Sequence, residues 1–250
     1  MMPASPLYQS PIALLQELGI AKPEEIHLEG IAEHCGATIV YRRTVGCEAR
    51  VLGYGDRAII TVNEAAPVGR RRFSAAHELG HWLLDRGTVS LTCTEDTLTR
   101  EWSDETIERR ANRYAADLLL PDFMVRPIVQ DYDITFAMVE HLIDQFNTSF
   151  TTTAIRLVEL GSFPAILICS EAGKRRWFFR SGFVPQSFWP YAKPRPGTAT
   201  FDVLHRPFEK GLVRNLTGES WIGHPTARNQ PIREEAIRLT PRLVLSLITW

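Results

Sequence analysis

The spacing of apolar residues changes period along the chain, and those changes predict its elements. Ile12, Leu14, Leu15 and Leu18 suggest a short helix after a proline-bearing lead-in, residues 1–10. Pro23, Glu24 and Glu25 open the next helix, because proline suits the first turn and acids suit the positive helix end. That helix runs through Ile26, Leu28 and Ile31 to Gly36, a good stop. Residues 37–42 are β-rich, and residues 51–54 and 58–62 flank Gly55-Asp56 as a hairpin. A helical period returns at Phe73, Ala76, Leu79, Trp82 and Leu83. It returns again over residues 106–120, with Ser103 as cap, Asp104 and Glu105 in the first turn, and Pro121 as stop.

Two more apolar-periodic segments follow. One carries Ile134, Ala137, Val139, Leu142, Ile143 and Phe146; the other carries Ala154, Ile155, Leu157, Val158 and Leu160 and stops at Gly161. Beyond Phe163 the texture turns to strands. Residues 165–170 and 175–180 form a second hairpin, residues 185–196 are irregular and rich in proline and aromatics, and residues 198–205, 220–224, 236–239 and 243–250 are β-like. This pattern predicts an α+β chain in three pieces: a core over residues 1–125, a helical segment over 126–163 and a mixed or all-β domain over 164–250.

Composition narrows the classes. At 250 residues with 44% hydrophobic and 23% charged residues, this is an ordinary soluble globular chain. A net charge of −1 gives no global pull toward nucleic acid or anionic membrane. No basic-plus-apolar leader opens the sequence, and no apolar run reaches the roughly 18 residues of a membrane helix. Cys35, Cys47, Cys93 and Cys169 are scattered without a C-x-x-C pair, so they read as free thiols in a reducing cytoplasm.

The segment Phe73-Ser74-Ala75-Ala76-His77-Glu78-Leu79-Gly80-His81-Trp82 carries the chemistry. Residues four apart share a helix face, so His77 and His81 can point both imidazoles at one metal ion. Glu78, one position round, can touch a water on that ion without binding the ion itself. Zinc lowers the pKa of such a water to about 7, and a neighbouring carboxylate can take its proton as a carbonyl is attacked. The pattern His-Glu-x-x-His on a helix is that of zinc peptidases. Gly80 is poor for a helix and suits a place where another backbone comes close.

A catalytic zinc site needs a third protein ligand and one open position. No histidine lies between His81 and His141, so the third ligand is a carboxylate. Asp85 shares the helix of both histidines, which suits support of a ligand better than ligation. Glu95, Asp96 and Glu101 lie in a connection, Asp104 and Glu105 serve a helix N-terminus, and Asp117 faces away. Glu108 combines a rigid helix, a small-residue face with Ala115, and a polar supporter, Asn112, one turn on. The other reading of Glu108 pairs it with Arg109 or Arg110 at the surface.

These paired motifs, Arg71-Arg72-Phe73-Ser74-x-Ala76-His77-Glu78-Leu79-Gly80-His81 and Glu108-x-x-Ala111-Asn112-x-Tyr114-Ala115-Ala116-x-Leu118-Leu119-x-Pro121, resemble the ImmA/IrrE metallopeptidases. The interval 108 − 81 = 27 is also similar. The resemblance implies a minimal zincin-like core with a small antiparallel sheet, then a helix-turn-helix-like extension; the C-terminal β-containing domain would be a sensor. It implies one Zn2+ ion held by His77, His81 and Glu108, with Glu78 as base. It implies a cytoplasmic endopeptidase that cuts a helix-turn-helix repressor. One departure is Asp85, where many members carry His.

Three further expectations follow. The strand containing Ile59, Ile60 and Thr61 would form an exposed sheet edge on which an extended substrate could add. The helix-turn-helix-like pair carries only Arg156 as a base in its second helix, which favours packing or partner docking over DNA reading. The run Arg70-Arg71-Arg72 reads as a solvated basic turn ahead of the metal helix, without the interleaved aromatics of a nucleic-acid surface. The rival function, from another class, is a non-catalytic regulator that uses the same fold to bind a repressor or DNA.

Overall fold

A computed structural model of the chain describes residues 9–85, 92–93, 107–206 and 208–250. Its contacts divide it into two compact units: residues 1–125 with 141–153, and residues 126–140 with 154–250.

The first unit opens with α1 (Pro11–Glu17), whose N-cap Ser10 accepts from the Ala13 amide at 3.2 Å. The expected second helix is broken in two. Pro23–Glu25 makes a 3-10 turn, and α2 (Leu28–His34) follows after Ile26 and His27. Gly36 ends α2 at φ +76°, and its missing Cβ leaves room for the Asp56 carbonyl, 2.7 Å from where that atom would sit.

A four-stranded sheet follows: β1 (Ala37–Arg42), β2 (Ala49–Tyr54), β3 (Arg57–Asn63) and the two-residue β4 (Thr92–Cys93), in the order β1-β3-β2-β4. β2 and β3 form the expected hairpin, while β1 runs parallel to β3, so the sheet is mixed. The strand expected at the edge is therefore central. Ile59, Ile60 and Thr61 have strand partners on both sides, Thr38 to Val40 on one and Arg50 to Leu52 on the other. Their backbone groups are spent within the sheet, so they offer no edge for a substrate.

One helix, α3 (Val68–Leu84), packs on this sheet, and α4 (Ile107–Leu119) packs on α3 and α1. Leu79 and Leu83 of α3 and Leu118 and Leu119 of α4 are fully buried, each contributing about 1.5–3 kcal/mol of apolar burial. Gly80 is the point of closest approach, as the sequence suggested. A Cβ there would lie 3.1 Å from the Tyr114 Cβ and 3.2 Å from the Ala111 Cα. Gly53 of β2 likewise leaves room for the Trp82 ring, 2.6 Å from where its Cβ would sit, and the Trp82 indole donates to the Cys35 carbonyl at 2.9 Å. The three arginines fall inside α3, as its third to fifth residues, rather than ahead of it. Arg70 faces Glu48 at 3.7 Å, Arg71 lies over the Tyr41 ring, and Arg72 donates to the Ile26 carbonyl at 3.1 Å. They are docked on their own fold, which offsets their poor match to a helix N-terminus.

The helices α5 (Asp122–Val129), α6 (Phe136–Phe146) and α7 (Phe150–Leu160) follow. The α6–α7 connection turns at Asn147, φ +53°, and Ser149 caps α7 by accepting from the Thr152 amide at 3.3 Å. Arg156, the one base of α7, is 2% exposed and faces Glu159 at 3.2 Å.

The second unit is built on a five-stranded antiparallel sheet: β5 (Ala165–Glu171), β6 (Lys174–Arg180), β7 (Gly211–Thr217), β8 (Pro231–Thr240) and β9 (Leu243–Thr249), in the order β6-β5-β9-β8-β7. Residues 165–170 of β5 are all buried, so both its faces are covered. On one side, Ile166, Ile168, Ile232 and Ile248 pack with Phe188, Trp221 and Ile222. Two stretches expected as strands differ. Residues 199–205 form a helix, α8 (Ala199–His205), because Thr198 caps it and the fully buried Glu234 carboxylate accepts from the Ala199 and Thr200 amides at 2.7 and 2.9 Å. Residues 218–220 form a 3-10 turn, and Ile222 makes only an isolated bridge to Pro190. The helix cap and ligand candidates Glu95, Asp96, Glu101, Ser103, Asp104 and Glu105 lie outside the described residues.

Candidate metal centre

The helical spacing of α3 sets the site. His77 and His81, one turn apart, are buried at 0% and 3% exposure, and their rings meet edge to face at 4.6 Å. The two Nε2 atoms lie 3.0 Å apart. Glu108, in the first turn of α4, reaches across and places one carboxylate oxygen on each ring, at 3.2 Å from His77 Nε2 and 3.3 Å from His81 Nε2. The Gly80–Ala111 contact lets α4 come near enough for this. Among the described residues these three side chains form the group that could hold a metal ion.

The fit to an ion is testable on the distances alone. Ligands at about 2.0–2.1 Å from a tetrahedral ion stand roughly 3.3 Å from one another. The two imidazole nitrogens, 3.0 Å apart, and the Glu108 oxygen nearest each of them, at 3.2 and 3.3 Å, fall close to that value. The electrostatics agree with the geometry. Burial holds the His77 pKa below its ordinary value, and the neighbouring His81 ring adds to that, so His77 is a neutral ring with a lone pair to offer. Burial alone would raise the Glu108 pKa, but hydrogen bonds from His77 and His81 outweigh it and hold the carboxyl well below the usual range. Burial opposes charge on His81 too, yet Glu108, Glu78 and Asp85 together raise its pKa. Three carboxylates around one imidazole are an excess of negative charge that a divalent cation would neutralise. Metal ligands must be deprotonated, and the donor set fits.

The remaining expected residues are placed as follows. Glu78 is fully buried and acts on the His81 ring through its charge. Asn112 is fully buried one turn beyond Glu108, and its amide acts on the His77 ring. Asp85 is the C-cap of α3, with Oδ2 at 3.6 Å from His81 Nδ1, and its other oxygen takes the Arg110 guanidinium. Arg110, the surface partner in the other reading of Glu108, pairs instead with Asp85. Tyr114, from the second motif, is 3% exposed, and burial, with Cys35 adding to it, pushes its pKa up. Ile59, Ile60 and Thr61 belong to the central strand and not to this cluster.

Comparison with known proteins converges on the same stretch. Residues 32–158, half of the chain, match the IrrE N-terminal-like domain, Peptidase_M78. The chain belongs to that family. It is a metallopeptidase family, and the matched residues span His77, His81 and Glu108. The radiation response metalloprotease IrrE of Deinococcus radiodurans is 28% identical over 129 residues, 49% of this chain and 39% of that protein. The alignment thus spans well under half of that relative. A solved structure of a Mycobacterium tuberculosis transcriptional regulator superposes with a TM-score of 0.61 at 16% identity, over 96% of this chain and 76% of that one. At that identity the likeness is one of fold. Among the described residues no helix is long and apolar enough to cross a membrane.

Proposed function

We propose that the protein is a zinc-dependent endopeptidase, with His77, His81 and Glu108 holding one Zn2+ ion and Glu78 as general base. The observation that carries this reading is the convergence of two buried imidazole nitrogens and the part-buried Glu108 carboxylate at 3.0–3.3 Å, on two helices in close contact at Gly80. When bound, zinc supplies Lewis acidity, which makes a water acidic near pH 7 and polarises a carbonyl. The chain's own residues do the rest. Glu78 accepts a proton from the attacking water at its carboxylate. It then passes that proton to the amine nitrogen that leaves as the peptide C–N bond breaks. Glu108 and His77 fix His81 from the side opposite Asp85, and Asn112 steadies the His77 ring.

The substrate class we propose is a helix-turn-helix repressor, in the cytoplasm. Two things support it: membership of the IrrE-like family, and similarity over that domain to a radiation response metalloprotease. Direct DNA reading by α7 is disfavoured because Arg156 is buried and ion-paired. The test is co-incubation of the zinc-loaded protein with any helix-turn-helix repressor encoded beside its gene, followed by mass spectrometry of the products. A single cleavage, absent with Glu78→Gln, supports the peptidase reading. Stoichiometric zinc with no cleavage of any bound repressor overturns it in favour of a non-catalytic regulator.

A further inference from the structure

Two charged residues beside the centre have no part in the scheme above. Asp85 caps the C-terminus of α3, where a carboxylate meets the negative end of the helix dipole and is disfavoured. Its side chain is nonetheless only 8% exposed. One oxygen, Oδ2, lies 3.6 Å from His81 Nδ1, beyond hydrogen-bond length but within ion-pair range. The other, Oδ1, takes the guanidinium of Arg110, which is 55% exposed. Arg110 stands two residues after Glu108 on α4. One helix thus reaches the metal helix twice: Glu108 touches His81 at Nε2, and Arg110 reaches the carboxylate facing Nδ1.

We infer that Arg110 and Asp85 form a positioning pair for His81. Arg110 fixes the Asp85 carboxylate in place against the unfavourable helix end. The Asp85 carboxylate in turn favours the tautomer with hydrogen on Nδ1, which would leave the Nε2 lone pair to a metal ion when one is bound. A carboxylate behind a ligating imidazole raises its basicity and fixes its ring, and loss of such support costs about 10–100-fold in metal affinity. The inference rests on the reading of His81 as a ligand.

The test uses the full chain and four variants: Arg110→Met, Arg110→Lys, Asp85→Asn and His81→Ala. Zinc affinity is read by competition with a chromophoric chelator, ring placement by the visible spectrum of the cobalt(II)-substituted protein, and fold by the thermal midpoint of the metal-free protein. Arg110→Met and Asp85→Asn should each weaken zinc by about 10-fold or more and shift the cobalt bands. Arg110→Met leaves Asp85 alone at the helix end and should lower the metal-free midpoint modestly, so the shift of the cobalt bands is what marks lost ring placement. Arg110→Lys should recover most of the affinity. Wild-type zinc affinity in both Arg110→Met and Asp85→Asn overturns the pair. So does a loss of affinity that tracks a lower metal-free midpoint with an unchanged cobalt spectrum, which would mark a plain helix staple. The His81→Ala control separates the two claims. If it too binds zinc like wild type, the ligand reading falls; if it alone loses zinc, only the positioning pair falls.

Discussion

Glu78 is buried as completely as the leucines around it, and burying a carboxylate is costly without compensation. A packing role would be served better by an apolar residue, so its chemistry sets the position. Glu78→Gln keeps shape and burial but removes the proton acceptor. It should lower cleavage about a hundredfold or more, the usual scale for a lost general base, while zinc content and thermal midpoint hold. Near-wild-type turnover would take Glu78 out of the mechanism. A second residue-scale expectation lies away from the site. The Tyr41 hydroxyl donates to Glu29 at 2.6 Å, and burial, then that hydrogen bond, push its pKa up to about 12. A pKa raised in the fold means stability that is fully present below the ordinary tyrosine value near 10 and lost as pH rises through 12. Tyr41→Phe should therefore flatten the alkaline leg of a pH–stability curve between about 10 and 12. An unchanged slope there would show that the pair does not couple to folding.

At the scale of elements, the site depends on how closely α3 and α4 approach. Gly80 has backbone and Cβ atoms of α4 at 3.1–3.3 Å from its missing Cβ, and a helix backbone cannot yield locally. Gly80→Val should cost about 1–3 kcal/mol from overpacking and, by moving Glu108 outward, weaken zinc more than it weakens the fold. Denaturant melts and chelator competition measure the two, and equal zinc affinity in a folded variant would count against the helix spacing as the control. This pair of helices was legible in the sequence because its signals are local: i,i+4 histidines, a small-residue face, a glycine at the crossing. What was not legible depended on distant partners. β3 reads like any hairpin strand, and only the parallel pairing with β1 makes it central. Residues 199–205 are rich in β-formers, yet Glu234, more than thirty residues on, supplies the acceptors that hold their amides in a helix. Arg110 could be seen as a surface base, but its partner Asp85 depends on the angle at which the two helices cross.

At the scale of the molecule, the chain passes between its two units three times, because residues 126–140 and 154–250 group together while 141–153 return to the first unit. α6 and α7 therefore each contribute to both. His77, His81 and Glu108 all belong to the first unit. A chain ending at Gly161 retains every proposed ligand but loses the five-stranded sheet, and with it the Glu235 carboxylate that accepts from the Phe136 amide at 3.0 Å. Buried apolar residues of the orphaned stretches, among them Val139, Leu157 and Val158, would then face solvent, which favours aggregation. The truncated chain should bind one zinc per molecule, yet melt earlier than the full chain and self-associate on size-exclusion chromatography. Zinc should also protect it. A ligand held at a hundred times its dissociation constant adds about 2.7 kcal/mol to the folded state, so chelation should lower the midpoint of both chains and leave that of Glu108→Ala unmoved. A folded, monomeric truncation that binds no zinc would mean that the second unit helps to build the centre.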